Sequence, residues 1–246
     1  MKLIAHRNET PNCPENSIAS LEYSAQEGIY AVECDLRRTG DGQYVIYHDE
    51  DLRRLCGDPR PVNQLTLEQM QSALARANRR VITFSQLIAG YQKQTPILLH
   101  VKEHVPRPDL LALFRRGRES VELIFGVESL EMLRAVKAFT PADHLLAFLP
   151  EKELYPRFIE EGAGIIRLWE QWLAEITPDQ VHAAGAEQVW IMCNALETGM
   201  DGSPESLNRF VQLHADGALV SDVAMGLAWL KQHSHPSQGR SEGNLA

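Results

Sequence analysis

Short apolar, β-branched runs alternate with longer amphipathic stretches along almost the whole chain. The runs fall at residues 3–6, 30–36, 44–48, 97–101, 122–127, 145–149, 164–168, 188–193 and 217–220. They are too short for helices, and they predict strands. Residues 17–26, 67–77, 110–119 and 129–139 carry apolar positions three and four apart and predict helices. Thr177-Pro178-Asp179 and Ser203-Pro204-Glu205 mark two further helix starts, a hydroxyl at the cap followed by proline. Such alternation predicts parallel strands joined by helical crossovers, and 246 residues suit a single closed TIM-type (β/α)8 barrel. The second and third runs depart from this pattern. Only Thr39-Gly40-Asp41-Gly42 joins them, a hairpin-type turn too short for a parallel crossover. One of the pair is therefore expected to be distorted or to lie outside the barrel. An open doubly wound sheet is the competing architecture, and no glycine-rich phosphate loop supports it. Residues 1–232 read as one domain, and residues 233–246, rich in Ser, Gly, Gln and Pro, as a flexible tail.

The strand ends carry the candidate chemistry. His6-Arg7 closes the first run, Glu33-Cys34-Asp35 lies in the second, and His48-Asp49 closes the third. Ionisable groups are costly along a buried strand and cheap where it emerges, so these ends imply one shared polar site. Glu33 and Asp35 are two apart, hence on one face of a strand and able to share a cation. Two histidines can serve as general acid and base. The combination suits phosphoryl transfer.

Charge narrows the partners. A net charge of −9 argues against a nucleic-acid or anionic-membrane surface, while leaving room for a phosphorylated substrate beside a metal ion. Hydrophobic content of 44% supplies one sizeable core. The start of the chain has no signal-peptide pattern, and no run reaches the ~20 apolar residues of a membrane helix. Cys13, Cys34, Cys56 and Cys193 lack metal-type spacing. The expectation is a cytoplasmic protein with free thiols.

The ordered set His6-Arg7, Pro14-Glu15-Asn16-Ser17, Glu33-x-Asp35, Thr39-x-Asp41-Gly42 and Val45-x-x-His48-Asp49 resembles the glycerophosphodiester phosphodiesterases. Weaker echoes follow at Leu52-x-Arg54, Ile82-Thr83-Phe84, Val189-Trp190 and Asp216 to Asp222. The resemblance implies a TIM-type barrel that hydrolyses glycerophosphodiesters to an alcohol and glycerol 3-phosphate with bound Ca²⁺ or Mg²⁺. It implies His6 and His48 as the acid–base pair and Glu33 and Asp35 as metal ligands. It also implies Arg7, Glu15 and Lys102 around the phosphate.

The main departure is His100-Val101-Lys102, where the family has Glu-x-Lys. Imidazole suits Mn²⁺ or Zn²⁺ better than Mg²⁺ or Ca²⁺. His100 is thus a candidate third ligand for a transition ion, a bystander to Mg²⁺, or a lesion in the site. Smaller departures are Asn8 for Gly and Cys193-Asn194 for Val-Asn. A lysophospholipid-cleaving relative and a degenerate barrel that only binds phosphorylated ligands are the rival functions. Asp49 is expected to orient His48, and Trp190 to pack in the core. Trp169, Trp172 and Arg167 read first as packing, with an apolar wall over a leaving group and phosphate contact as their functional alternatives. Glu170 and Glu197 read as exposed charges.

Overall fold

Runs such as Ile97–Val101 and Leu123–Val127 are buried at every residue, the signature of strands covered on both faces. The computed structural model describes residues 1–7, 13–193 and 202–233. The tail expected beyond His233 lies outside them, as does its His235. Eight such strands close a parallel barrel: β1 (Lys2–Ala5), β2 (Ala31–Arg38), β3 (Ile97–Val101), β4 (Leu123–Val127), β5 (Leu145–Phe148), β6 (Ile165–Trp169), β7 (Gln188–Met192) and β8 (Gly217–Val220). Each pairs in parallel with the next, and β8 returns to β1 through Lys2↔Gly217 to Ala5↔Val220. The TIM-type barrel read from the alternation is the architecture found.

Period-two alternation divides the core in two. Ile4, Ala31, Leu98, Ile124, Leu146, Phe148, Ile165, Trp190, Met192 and Leu219 fill the barrel interior. The residues between them, including Val32, Leu99, Phe125 and Ile166, pack outward with the helices. Trp190 is fully buried, as expected. It fits because Gly217 on the neighbouring strand has no Cβ, which would lie 2.8 Å from the indole. The helices start where hydroxyls predict: Ser17, Thr66, Thr83, Ser129, Thr177 and Ser203 each accept from a backbone N–H in the first turn.

The irregular region resolves as a strand outside the barrel. β2 has eight residues against four in β1, and its surplus end pairs antiparallel with Tyr44–Ile46. Gly42, at φ +86°, permits the intervening turn, and Thr39 donates N–H to the Gln43 carbonyl. A second short strand, Ile82–Thr83, pairs with Tyr44–Ile46 on its free edge. Sequence alone marked Ile82–Thr83 only as the approach to a helix, because two residues carry no period. A satellite core of Val45, Tyr47, Leu52, Val62, Leu65, Met70 and Leu74 supports this excursion. Its consequence is positional: the hairpin turns the chain back over β2, and Tyr47 N–H bonds the Asp35 carbonyl at 2.9 Å. His48 is thereby returned to the mouth of the barrel.

The final helix, Val223–His233, extends one residue past the expected domain end. There His233 stacks on Trp229 and bonds its carbonyl, so it belongs to the helix and not to the tail. No helix among the described residues is long and apolar enough to cross a membrane.

Candidate active site

Inward positions on β2 put Glu33 and Asp35 at the C-terminal mouth of the barrel, both fully buried. β3 pairs alongside with His100 opposite Asp35. His100 Nδ1 lies 3.3 Å from Asp35 Oδ1 and 3.9 Å from Glu33 Oε1. One ligand atom from each of the three residues falls within 4.8 Å of the others. Two oxygens and one nitrogen at that spacing fit a divalent cation. Lys102, the residue after β3, places Nζ 3.4 Å from Asp35 Oδ1.

The far side of the His100 ring is equally fixed. Nε2 meets Glu128 Oε1, just beyond β4, at 2.8 Å, and the ring stacks on Phe148 with centroids 3.6 Å apart. Phe148 can reach it because Gly126 lacks a side chain; a Cβ there would come within 2.2 Å of the Phe148 ring. Glu128 also meets His104 Nε2 at 2.9 Å. A carboxylate behind a histidine orients the ring and raises its basicity toward a cation on the other nitrogen.

His6 leaves β1 beside Glu33, its Nε2 4.0 Å from Glu33 Oε2 and its Nδ1 3.2 Å from Ser221 Oγ. Arg7 follows in the left-handed region, at φ +55°. That turn aims its backbone N–H at Glu33 Oε2, 2.9 Å away, while its guanidinium reaches His48 Nε2 at 2.7 Å. The guanidinium can only donate, so His48 Nε2 accepts, and Nδ1 carries the proton toward Asp49 Oδ1, 2.7 Å away. Asp49 therefore orients His48, as expected. Arg37 Nε pins the His48 carbonyl at 2.7 Å.

The electrostatics separate the groups. Burial lifts the Glu33 carboxyl well above its usual range, and Asp35 lifts it further. Burial opposes ionisation of Asp35 too, but the adjacent His100 ring and the Lys102 charge outweigh it and hold Asp35 well below the usual range. The two carboxyls are thus split, with Glu33 the weaker acid of the pair. Burial, with Arg7 next, depresses His6; burial, with Lys102 next, depresses His100. Both shifts favour the neutral imidazole.

Seven of the eight residues read from the sequence converge here: His6, Arg7, Glu33, Asp35, His48, His100 and Lys102. Glu15 stands apart. Both its oxygens are held by Arg54, which also bonds Asp49, so Glu15 braces His48 at two removes. Glu170 is a correction: it is 2% exposed and accepts from Ser206 Oγ, because the chain after β6 folds inward over the barrel rim. Asn8, Asn194 and Glu197 lie outside the described residues. Sequence reasoning missed Asn16, whose amide brackets Asp35 at 3.2 and 3.3 Å, although it sits in the Pro-Glu-Asn-Ser motif. It missed Glu128 as well, which follows its strand as any exposed helix-start acid would.

Comparison with known proteins bears out the resemblance. Residues 6–123 match the model of the glycerophosphoryl diester phosphodiesterase family. A glycerophosphodiester phosphodiesterase of Caldanaerobacter subterraneus is 30% identical over 56% of this chain and 53% of its own length. Bovine glycerophosphodiester phosphodiesterase 1 is 36% identical over 32% of this chain and 24% of its own. This chain thus aligns with about half of the first relative and a quarter of the second. Among solved structures, the glycerophosphodiester phosphodiesterase of Thermotoga maritima superposes with a TM-score of 0.70 at 19% identity, covering 92% of this chain and 96% of its own. An Oleispira antarctica phosphodiesterase, solved with the product sn-glycerol-3-phosphate, gives 0.68 at 17% identity, covering 94% and 97%. At such identities the superpositions speak for the fold.

Proposed function

We propose that this protein is a metal-dependent phosphoric diester hydrolase that cleaves small glycerophosphodiesters to an alcohol and glycerol 3-phosphate. The observation that carries the reading is Arg7, which joins the carboxylate pair to the second histidine through Glu33 and His48. Glu33, Asp35 and His100 would hold the cation. When bound, it would neutralise negative charge growing on the phosphate oxygens.

The remaining roles belong to the chain. A phosphate anion competes with His48 for the Arg7 guanidinium, so substrate binding frees His48 Nε2. Lys102 adds a second positive charge at the same mouth. His6, whose neutral form burial favours, takes the proton of the attacking water. His48, backed by a carboxylate that burial fails to neutralise and whose bonds to His48 and Arg54 hold it at about 2, is suited to carry a proton and return it to the leaving oxygen. Glu128 behind His100 supports an imidazole ligand, which favours Mn²⁺ or Zn²⁺ over Mg²⁺ and Ca²⁺.

The test is ³¹P NMR of glycerophosphoglycerol and glycerophosphocholine incubated with the protein. Glycerol 3-phosphate as product, with turnover falling roughly 10²–10⁴-fold in His48→Ala, is the expected result. A cyclic phosphate would place the protein with the lysophospholipid-cleaving relatives. No product with any divalent ion would leave the binding-only reading.

A further inference from the structure

Arg167 has no place in the reaction just described. It lies on β6 between Ile165, which faces the barrel interior, and Trp169, which packs against that interior cluster, so it shares the inward face. It is 4% exposed, and its Nε and Nη1 have no hydrogen-bond partner among the described residues. Three aromatic rings surround the guanidinium: Trp169 at 4.2 Å, Phe148 at 5.1 Å and Trp172 at 5.6 Å. Cation–π contacts of this kind offset only part of the cost of burying a charge. Among the described residues the acidic group that acts on it is Glu128, already bonded to His100 and His104. Burial draws its pKa down to about 9, so the group keeps its charge at neutral pH.

A buried, charged and under-bonded arginine favours an anion that it can bond through two nitrogens at once. Its position says which anion. Phe148 stacks on His100 and also lies 5.1 Å from the Arg167 guanidinium, so one aromatic ring touches both the cation-binding triad and Arg167. Arg7, after β1, and Lys102, after β3, already stand at the carboxylate pair proposed to meet the scissile phosphate, whereas Arg167 is on β6. The same three rings could otherwise receive a quaternary ammonium. With a guanidinium among them, they repel it.

We propose that Arg167 forms a second anion subsite, which selects diesters carrying another phosphate or carboxylate on the alcohol side and disfavours cationic alcohols. The subsite rests on the diesterase reading, but it is tested by binding and not by turnover. Isothermal titration of the full-length, Mn²⁺-loaded protein would compare glycerol 3-phosphate, glycerol 1,3-bisphosphate and 3-phosphoglycerate. The wild type is expected to bind at least one of the two doubly anionic ligands roughly tenfold more tightly than glycerol 3-phosphate. Which of the two gains more tells phosphate from carboxylate. Arg167→Met should erase the preference while leaving glycerol 3-phosphate affinity nearly unchanged, and Arg167→Lys should retain part of it. Losing an under-bonded buried charge, Arg167→Met should also melt no lower than wild type.

Equal binding of all three ligands by the wild type would overturn the proposal. So would a preference that survives Arg167→Met, or an equal loss for all three, which would put Arg167 on the scissile phosphate. If hydrolysis is never observed but the preference and its loss are, the subsite stands and the diesterase reading falls.

Discussion

At the scale of single residues, two histidines of one chemical type are given different roles by their surroundings. His6 is nearly enclosed beside Glu33 and Arg7, and burial with that guanidinium depresses its pKa well below the ordinary value. His48 is more open and has Asp49 behind it. A general base must be unprotonated in the free enzyme, so kcat/KM rises as pH climbs through the pKa of His6. Because that pKa is lowered, the acid limb should lie below the ordinary histidine value of about 6.5. A bound cation would push it in the same direction. A pH–rate profile measured between pH 4.5 and 9 checks this, and a limb at or above 6.5 would reassign the base. That both histidines, both carboxylates and Lys102 come together was legible in the sequence, because each is an ionisable group near the exit of an apolar run. The pairing of Glu15 with Arg54, which claims both its oxygens, is not revealed by a motif position. Glu128, Asn16 and the isolation of Arg167 depend on neighbours distant in sequence, and no local pattern announces them.

At the scale of elements, the site depends on β2 and β4 more than on any helix. β2 outruns β1, and its surplus length brings the antiparallel Tyr44–Ile46 and then His48 back across the mouth. The hairpin turn was visible in the sequence, so the misfit of the third run was foreseen. The partner strand Ile82–Thr83 was not, being too short to show alternation. On β4, Gly126 is where packing and chemistry meet. Gly126→Ala would drive a methyl group into Phe148, whose ring stacks on His100 and also contacts Arg167. Overpacking of this type costs about 1–3 kcal/mol. The expected outcome is a lower melting temperature together with weaker Mn²⁺ binding, read by calorimetry on the folded variant. Lower stability with unchanged Mn²⁺ affinity would mean that Phe148 does not position His100.

At the scale of the whole molecule, a chain of net charge −9 brings Arg7 and Lys102 to one buried carboxylate pair. Local positive charge among fixed carboxylates attracts a small anion without making the surface basic. The fold was legible as a whole, because strands buried on both faces read as continuous apolar runs. The nature of the cation was not, because it turns on how His100 is backed by Glu128. The most direct test is therefore rate and affinity with added ions. Metal-stripped wild type and His100→Glu would each be titrated with Mg²⁺, Ca²⁺, Mn²⁺ and Zn²⁺, while glycerophosphoglycerol hydrolysis is followed. The account predicts turnover only with an ion present, with Mn²⁺ or Zn²⁺ best in wild type and a shift toward Mg²⁺ or Ca²⁺ in His100→Glu. Hydrolysis that persists without metal, or no hydrolysis with any of the four, would contradict it.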